Sequence, residues 1–215
     1  MKYLTATGYL KNKEYDKAKD IFTALGDYKD SKKKITDIEN RIINTSKNAQ
    51  KPVNFTIEME DGSVMKGELY PDIAPITVEN FIKLCDEDFY AGLIFHRVIA
   101  GFMIQGGGDD TDLNDKDADT IKGEFSSNGV ENNLSHTRGV ISMARTPVPD
   151  SASSQFFIMH ADYPALDGQY AAFGKITDGL EVIDKIANVE TQSLSNGMDD
   201  VPIEPQIIKA ITIDR

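Results

Sequence analysis

The chain has 215 residues, a net charge of −12 and a single cysteine, Cys85. That length allows one domain with a remainder, or two small ones. The acidity argues against a nucleic-acid backbone as partner, and one cysteine excludes both an internal disulfide and a cysteine-rich zinc site. No apolar run nears the ~18 residues of a bilayer span. The first ten residues lack the apolar stretch and cleavage site of a signal peptide, so the expectation is a cytoplasmic protein without a membrane segment.

The charge is unevenly spread. Residues 1–51 hold 12 Lys and Arg against 7 Asp and Glu, a net +5, while residues 52–215 hold 11 against 28, a net −17. Such a step marks a domain boundary. The predicted division is a helical segment over 1–45, a linker over 46–51 and a second domain over 52–215. In the first segment Ala18, Ile21, Phe22 and Leu25 follow the spacing of one buried helix face. Gly26 stands where a glycine ends a helix. A second run begins at Asp30-Ser31, either of which can cap it, and sets Ile35, Ile38, Ile42 and Ile43 on one stripe. Pro52 disfavours helix at Lys51. Tyr9, Ala18 and Phe22 stand at tetratricopeptide spacing, although the Trp, Leu-Gly and Pro positions of that pattern are not met. The segment resembles a single degenerate helix-turn-helix repeat. It is either a packing hairpin or a surface that docks a protein partner.

From Val53 the period changes to two. Val53, Phe55, Ile57 and Met59 alternate with Asn54, Thr56 and Glu58, a strand pattern. Asp61-Gly62 signals a hairpin, and Met65 to Leu69 returns. Val78, Phe81, Ile82 and Cys85 read as a helix with Thr77 as its N-cap. Six further strands are predicted at 95–98, 103–106, 139–143, 155–159, 171–175 and 207–213, with a helix over 179–189. Eight short strands, glycine-rich turns and two helices point to a small all-β fold; the pattern alone leaves barrel and sandwich open.

Four motifs narrow the choice. Residues 95–107 read Phe-His-Arg-Val-Ile-Ala-Gly-Phe-Met-Ile-Gln-Gly-Gly. Gly139-Val140-Ile141-Ser142-Met143-Ala144, Ser154-Gln155-Phe156-Phe157-Ile158, and Leu166-Asp167-Gly168 with Phe173-Gly174 follow in order. Together they resemble the cyclophilin signature, over residues 52–215, with Tyr170 and the short loops similar to bacterial members. The resemblance implies a mainly β fold, a closed eight-stranded antiparallel barrel capped by two helices, here preceded by a small helical segment. It also implies peptidyl-prolyl cis/trans isomerase activity on Xaa-Pro peptides and unfolded protein clients, with no cofactor and no metal.

Rotation about Xaa-Pro breaks no covalent bond, so it needs no nucleophile. It needs an apolar slot for the ring and a donor for the nitrogen that pyramidalises as the amide twists, because such a donor favours the transition state over either planar ground state. Arg97, always protonated and with a planar fork of N–H groups, is the expected donor. By resemblance Phe102, Met103, Phe157 and Leu166 line the slot, Gln105 orients Arg97 and the substrate carbonyl, and Gln155 touches the residue before the proline. Ala144 and the backbone of Arg145 flank the peptide, and Tyr170 serves where relatives carry His. Phe156 alternates away into the core. Ala165 stands where relatives carry Trp, so that wall is expected to be open or filled by Tyr163, with weak cyclosporin binding. The −17 charge predicts a preference for basic or neutral substrate flanks.

Other signals carry less. Residues 109–115 have oxygen donors at alternate positions, but the sixth-position Gly and twelfth-position Glu of a calcium loop are missing, so the segment reads as a solvated acidic loop. His96 is read as structural, and His136 and His160 form no catalytic constellation in the sequence.

Overall fold

A computed structural model describes residues 2–11, 14–39, 51–116 and 118–214. Its chain contacts divide it into two compact units, Met1–Gln50 and Lys51–Arg215. No helix among the described residues is long and apolar enough to cross a membrane.

The first unit contains α1 (Lys2–Lys11), α2 (Tyr15–Leu25) and helical residues 31–39, here α3. The stripe read from the sequence is the buried one: Ala18, Phe22 and Ile38 are fully covered, with Ile21, Leu25 and Ile35 packed against them. Gly26 ends α2 at φ 55, its N–H returning to the Thr23 carbonyl. At the start of α3 the Asp30 carbonyl takes the Lys34 N–H, while the Asp30 carboxylate receives the Tyr3 hydroxyl. The helix α1 falls inside the helical segment expected over 1–45, although its apolar positions make no clear stripe. It earns its place through Ala6, which is fully buried, and through Tyr3, whose ring meets Phe22 edge-on. Ile42, Ile43 and linker residues 46–50 lie outside the described residues.

The second unit is a mainly β, antiparallel barrel. Its strands are β1 (Val53–Met59), β2 (Val64–Leu69), β3 (Ile94–Phe95), β4 (Arg97–Ile99), β5 (Met103–Gly106), β6 (Val140–Met143), β7 (Phe156–Met159), β8 (Ala172–Asp178), β9 (Thr191–Gln192), β10 (Val201–Pro202) and β11 (Gln206–Ile213). The main sheet runs β3-β11-β1-β2-β8-β6-β7-β5-β4, nine strands. Its two ends, β3 and β4, are one chain path interrupted only at His96. The nine strands therefore trace eight paths, and the sheet closes on itself apart from that break. The separate β9–β10 ribbon is an element that the sequence pattern did not show.

Two helices cover the barrel, α4 (Pro75–Asp86) and α5 (Leu180–Ala187). Phe81 of α4 reaches into the interior, its ring centroid 5.2 to 5.9 Å from Phe55, Tyr90, Phe156 and Phe173. From α5, Val182, Ile183, Ile186 and Ala187 join the same core. The hairpin β1–β2 turns at Gly62, whose φ of 83 suits only glycine without strain, and the Asp61 carboxylate takes the Ser63 N–H.

The start of α4 corrects one expectation. Thr77 is not the N-cap: the helix begins at Pro75, the cap position is Ala74, and Ala74 offers no side-chain bond. The cap comes from 47 residues further along the chain. The buried Glu124 carboxylate accepts the Ile76 N–H at 3.1 Å, the Thr77 N–H at 2.7 Å and the Thr77 hydroxyl at 2.7 Å. A carboxylate there also meets the positive end of the helix dipole.

Replacing Glu124 with Ala strands two buried donors on Thr77, each costing on the order of 1 kcal/mol or more, and a half-buried one on Ile76 that water can partly satisfy. The expected result is a loss of about 2 kcal/mol in urea unfolding of Glu124→Ala. A loss below about 0.5 kcal/mol would show that water replaces the carboxylate.

Candidate active site

Because side chains alternate along a strand, each barrel strand has an inner and an outer face. The inner residues Val98, Ile104, Ile141, Phe156, Ile158 and Phe173 join the main core. On the outer face Arg97 pairs across to Gln105, Gln105 to Phe157, Phe157 to Ser142, and Ser142 to Ala172. Directly opposed residues share a face at about 5 Å spacing. One row thus sets a cation, an amide and an aromatic ring side by side. Met103, Phe157, Met159, Val140 and Ala172 form a second apolar cluster outside the main core, with Phe102, Leu134, Leu166 and Tyr170 against it.

A hollow of about 200 Å³ opens over this cluster, lined by Arg97, Phe102, Met103, Gln105, Ala144, Arg145, Phe157, Leu166 and Tyr170. Gln155 is the one residue of the sequence set outside it. It lines an adjoining hollow and accepts a bond from the Gln105 amide at 3.1 Å. Ala165 is exposed and, like Tyr163, absent from the lining. Tyr163 packs on Phe102, ring centroids 4.7 Å apart.

Several groups that hold the lining were not found from the sequence. Asp200 stands 3.6 Å from Arg97 Nε, and its carbonyl takes the Val98 N–H at 2.9 Å. With both side chains about 40% exposed, the pair orients the guanidinium more than it stabilises the fold. His160 pins the β4–β5 turn. Its Nδ1 accepts the Gly101 N–H at 2.7 Å, which leaves the proton on Nε2, facing Asp184 at 3.0 Å. Its own N–H donates to the Phe102 carbonyl at 2.9 Å. Gly101, at φ 79, makes this turn without strain.

His136 sits behind the aromatic wall, its ring parallel to Phe157 with centroids 6.0 Å apart. Nδ1 lies 2.9 Å from Asp167 and Nε2 3.1 Å from the Ser142 hydroxyl. The order serine, histidine, aspartate is that of a hydrolytic triad, but Ser142 is fully buried and no substrate can reach it. The three fix the wall instead. Burial pulls the His136 pKa down, outweighing the opposing pull of Asp167. Burial also pushes Asp167 up, but bonds from Ser135 and His136 more than offset this and leave it below the usual carboxylate range. His96 is buried against Asp109, Nδ1 to Oδ2 2.6 Å, in an approach that makes no directed hydrogen bond.

Comparison with known proteins shows the family. The family model described as cyclophilin type peptidyl-prolyl cis-trans isomerase/CLD matches residues 54–213. The chain belongs to that family. It is 48% identical over 153 residues to a peptidyl-prolyl cis-trans isomerase of Acinetobacter baylyi, covering 68% of this chain and 78% of the relative. Isomerase B of Escherichia coli is 43% identical over 153 residues, covering 67% and 90%. Among solved structures, a Cryptosporidium parvum cyclophilin-type isomerase superposes with a TM-score of 0.63 at 30% identity, covering 77% of this chain and 99% of that one. The same protein determined in the presence of the dipeptide Ala-Pro gives 0.61 at 31% identity, covering 75% and 99%.

The lowered His136 pKa means that, as pH falls, the unfolded chain takes up the proton first. Its stability contribution is complete above about pH 6.5 and is lost progressively below it. Asp167 acts the same way only below about pH 4. Thermal unfolding is therefore expected to weaken between pH 6.5 and 5 in the wild type, with a shallower fall in His136→Asn. Parallel pH profiles would refute the assignment.

Proposed function

We propose that the chain accelerates cis/trans rotation about Xaa-Pro bonds in peptides and unfolded proteins, without covalent chemistry. The observation that carries this reading is the Arg97–Gln105–Phe157 row, which puts a permanent cation and an amide at the rim of an apolar hollow. In this reading the proline ring rests on Phe157, Met103, Phe102 and Leu166. Aromatic walls and an adaptable thioether suit a small apolar ring. Gln105, steadied by Gln155, holds the neighbouring carbonyl.

Ground-state resonance keeps the prolyl nitrogen planar and its lone pair delocalised. At the twisted midpoint the lone pair localises and can accept a hydrogen bond. Arg97 supplies the donor, and Asp200 keeps the fork aimed. That contact exists only in the twisted state, so it lowers the barrier without trapping either isomer. A 10⁵-fold acceleration corresponds to about 7 kcal/mol in all, of which one directed donor gives about 3 to 4. The apolar slot and the exclusion of water supply the rest.

The decisive measurement is exchange of a short Ala-Pro peptide by NMR. Arg97→Ala is expected to lower kcat/KM by about 10² to 10³, with unchanged denaturant unfolding. Retained activity in the variant would overturn the donor assignment. No acceleration by folded wild type would favour a proline-peptide binding module.

The domain division proposed here, helical segment 1–45, linker 46–51 and isomerase domain 52–215, assigns the first segment to docking a protein partner or an unfolded client. Removing residues 1–50 is then expected to spare turnover of short peptides and to slow refolding of a proline-limited protein substrate. Equal loss on both substrates would refute that separation.

A further inference from the structure

Residues 52–215 carry a net −17, yet the groove they form does not. Across the two adjoining hollows the charged lining residues are Arg97, Arg145, Lys116 and Asp115, three cations against one carboxylate. Arg145 stands on the seam, since it lines both hollows together with Gln105 and Ala144. In the isomerase reading, a peptide whose proline fills the first hollow would pass Arg145 on its way into the second.

Arg145 is held in an unusual way for so acidic a domain. Nε and Nη2 donate to the Gln169 carbonyl at 3.1 and 2.8 Å, and Nη1 donates to the Thr146 carbonyl at 2.9 Å. The guanidinium lies over the rings of Phe125 and Tyr170, 4.7 and 4.8 Å from their centroids. Its partners are all neutral. Among the described residues Arg97 and Arg138 have carboxylate partners, while no carboxylate lies within ion-pair distance of Arg145. The fork is fixed in place and its charge is uncompensated. In the second hollow the Lys116 ammonium is already bound to the Phe89 carbonyl at 2.6 Å.

We propose that Arg145 is a specificity residue that selects substrates with an anionic side chain one or two residues from the proline. A carboxylate, or the phosphoryl group of a modified serine, would supply the missing counter-charge, and guanidinium forks match both. The stacking on Phe125 and Tyr170 means that little side-chain freedom is lost on pairing. This reverses, at close range, the preference for basic flanks expected from net charge. The field of the whole domain is screened beyond about 8 Å at physiological salt, whereas a contact is not.

The proposal rests on the isomerase reading, and its test separates the two. With the full chain at about 0.15 M salt, kcat/KM is measured for peptides carrying Glu, Gln, Lys or phosphoserine at each of the two positions before and after the proline. The expected result is a Glu-over-Gln advantage of about threefold to fivefold at one position. The ratio falls to one in Arg145→Gln, and in Arg145→Glu a Lys peptide overtakes Gln. A gain at phosphoserine as well assigns recognition to anionic oxygen in general, and a gain at Glu alone assigns it to carboxylate. Because each ratio is taken within one variant, a general loss of activity does not affect it. A flat Glu/Gln ratio in an active wild type, or one that survives in Arg145→Gln, overturns the Arg145 assignment alone. Failure of the wild type to accelerate even the Gln peptides would remove the isomerase reading itself.

Discussion

Two consecutive residues on a strand cannot face the same way, and most of this molecule follows from that constraint at Phe156 and Phe157. Phe156 points into the barrel and meets Phe81, Tyr90 and Phe95 edge-on. Phe157 must then point outward, where a large aromatic ring would ordinarily be a liability. The chain covers it with Leu134, Leu166 and Tyr170 from the loops, and that cover leaves the hollow. Core and site are thus the two faces of one sheet. The register that packs the interior also places Arg97 and Gln105 in line with Phe157 on the outside.

The loops around this face are tied down by polar groups that are themselves fully engaged. His136 links Asp167, in the segment that carries Leu166, to Ser142 on β6. His160 links α5 to the turn that carries Phe102. Both rings are engaged at both nitrogens, and the chemistry assigned to the hollow asks for neither. A rotation needs a wall that does not yield and a donor that does not move. The two histidines, tied at both ring nitrogens, serve the first need, and the pairing of Arg97 with Asp200 serves the second.

How much of this could be read from the chain depends on how local each cause is. Strand periodicity is local, and the alternation over Val53–Met59 appears directly as the burial of Phe55, Ile57 and Met59. The apolar lining was legible through motifs that hold it at fixed spacing. Long-range partners were not. Thr77 looked like a cap because its own sequence offers a hydroxyl, whereas the capping carboxylate is Glu124, delivered by a loop. Asp200 lies 103 positions from Arg97 in a stretch rich in acids, where nothing singles it out. His136 and His160 have no sequence neighbour that explains them, because their partners meet them only when the barrel closes. The bounds of α1 within the expected helical segment were faint for a different reason: only Ala6 is fully buried, with Tyr3 packed beside it, and a small residue leaves a faint trace in any hydrophobic pattern.

The break at His96 has a further consequence. On either side of it, the path 94–99 is bonded to both neighbours: β3 to β11 and to the Asp109 and Gly107 backbone, β4 to β5 and to the Asp200 carbonyl. The main sheet therefore presents no long free rim. Unfolded polypeptide is rich in segments seeking a strand to pair with, and an open sheet edge would template their aggregation. A barrel sealed in this way can hold a single proline in an external hollow while offering the rest of a client chain nothing to adhere to. Encounter with a sticky substrate can then stay brief, limited to one residue and its immediate neighbours.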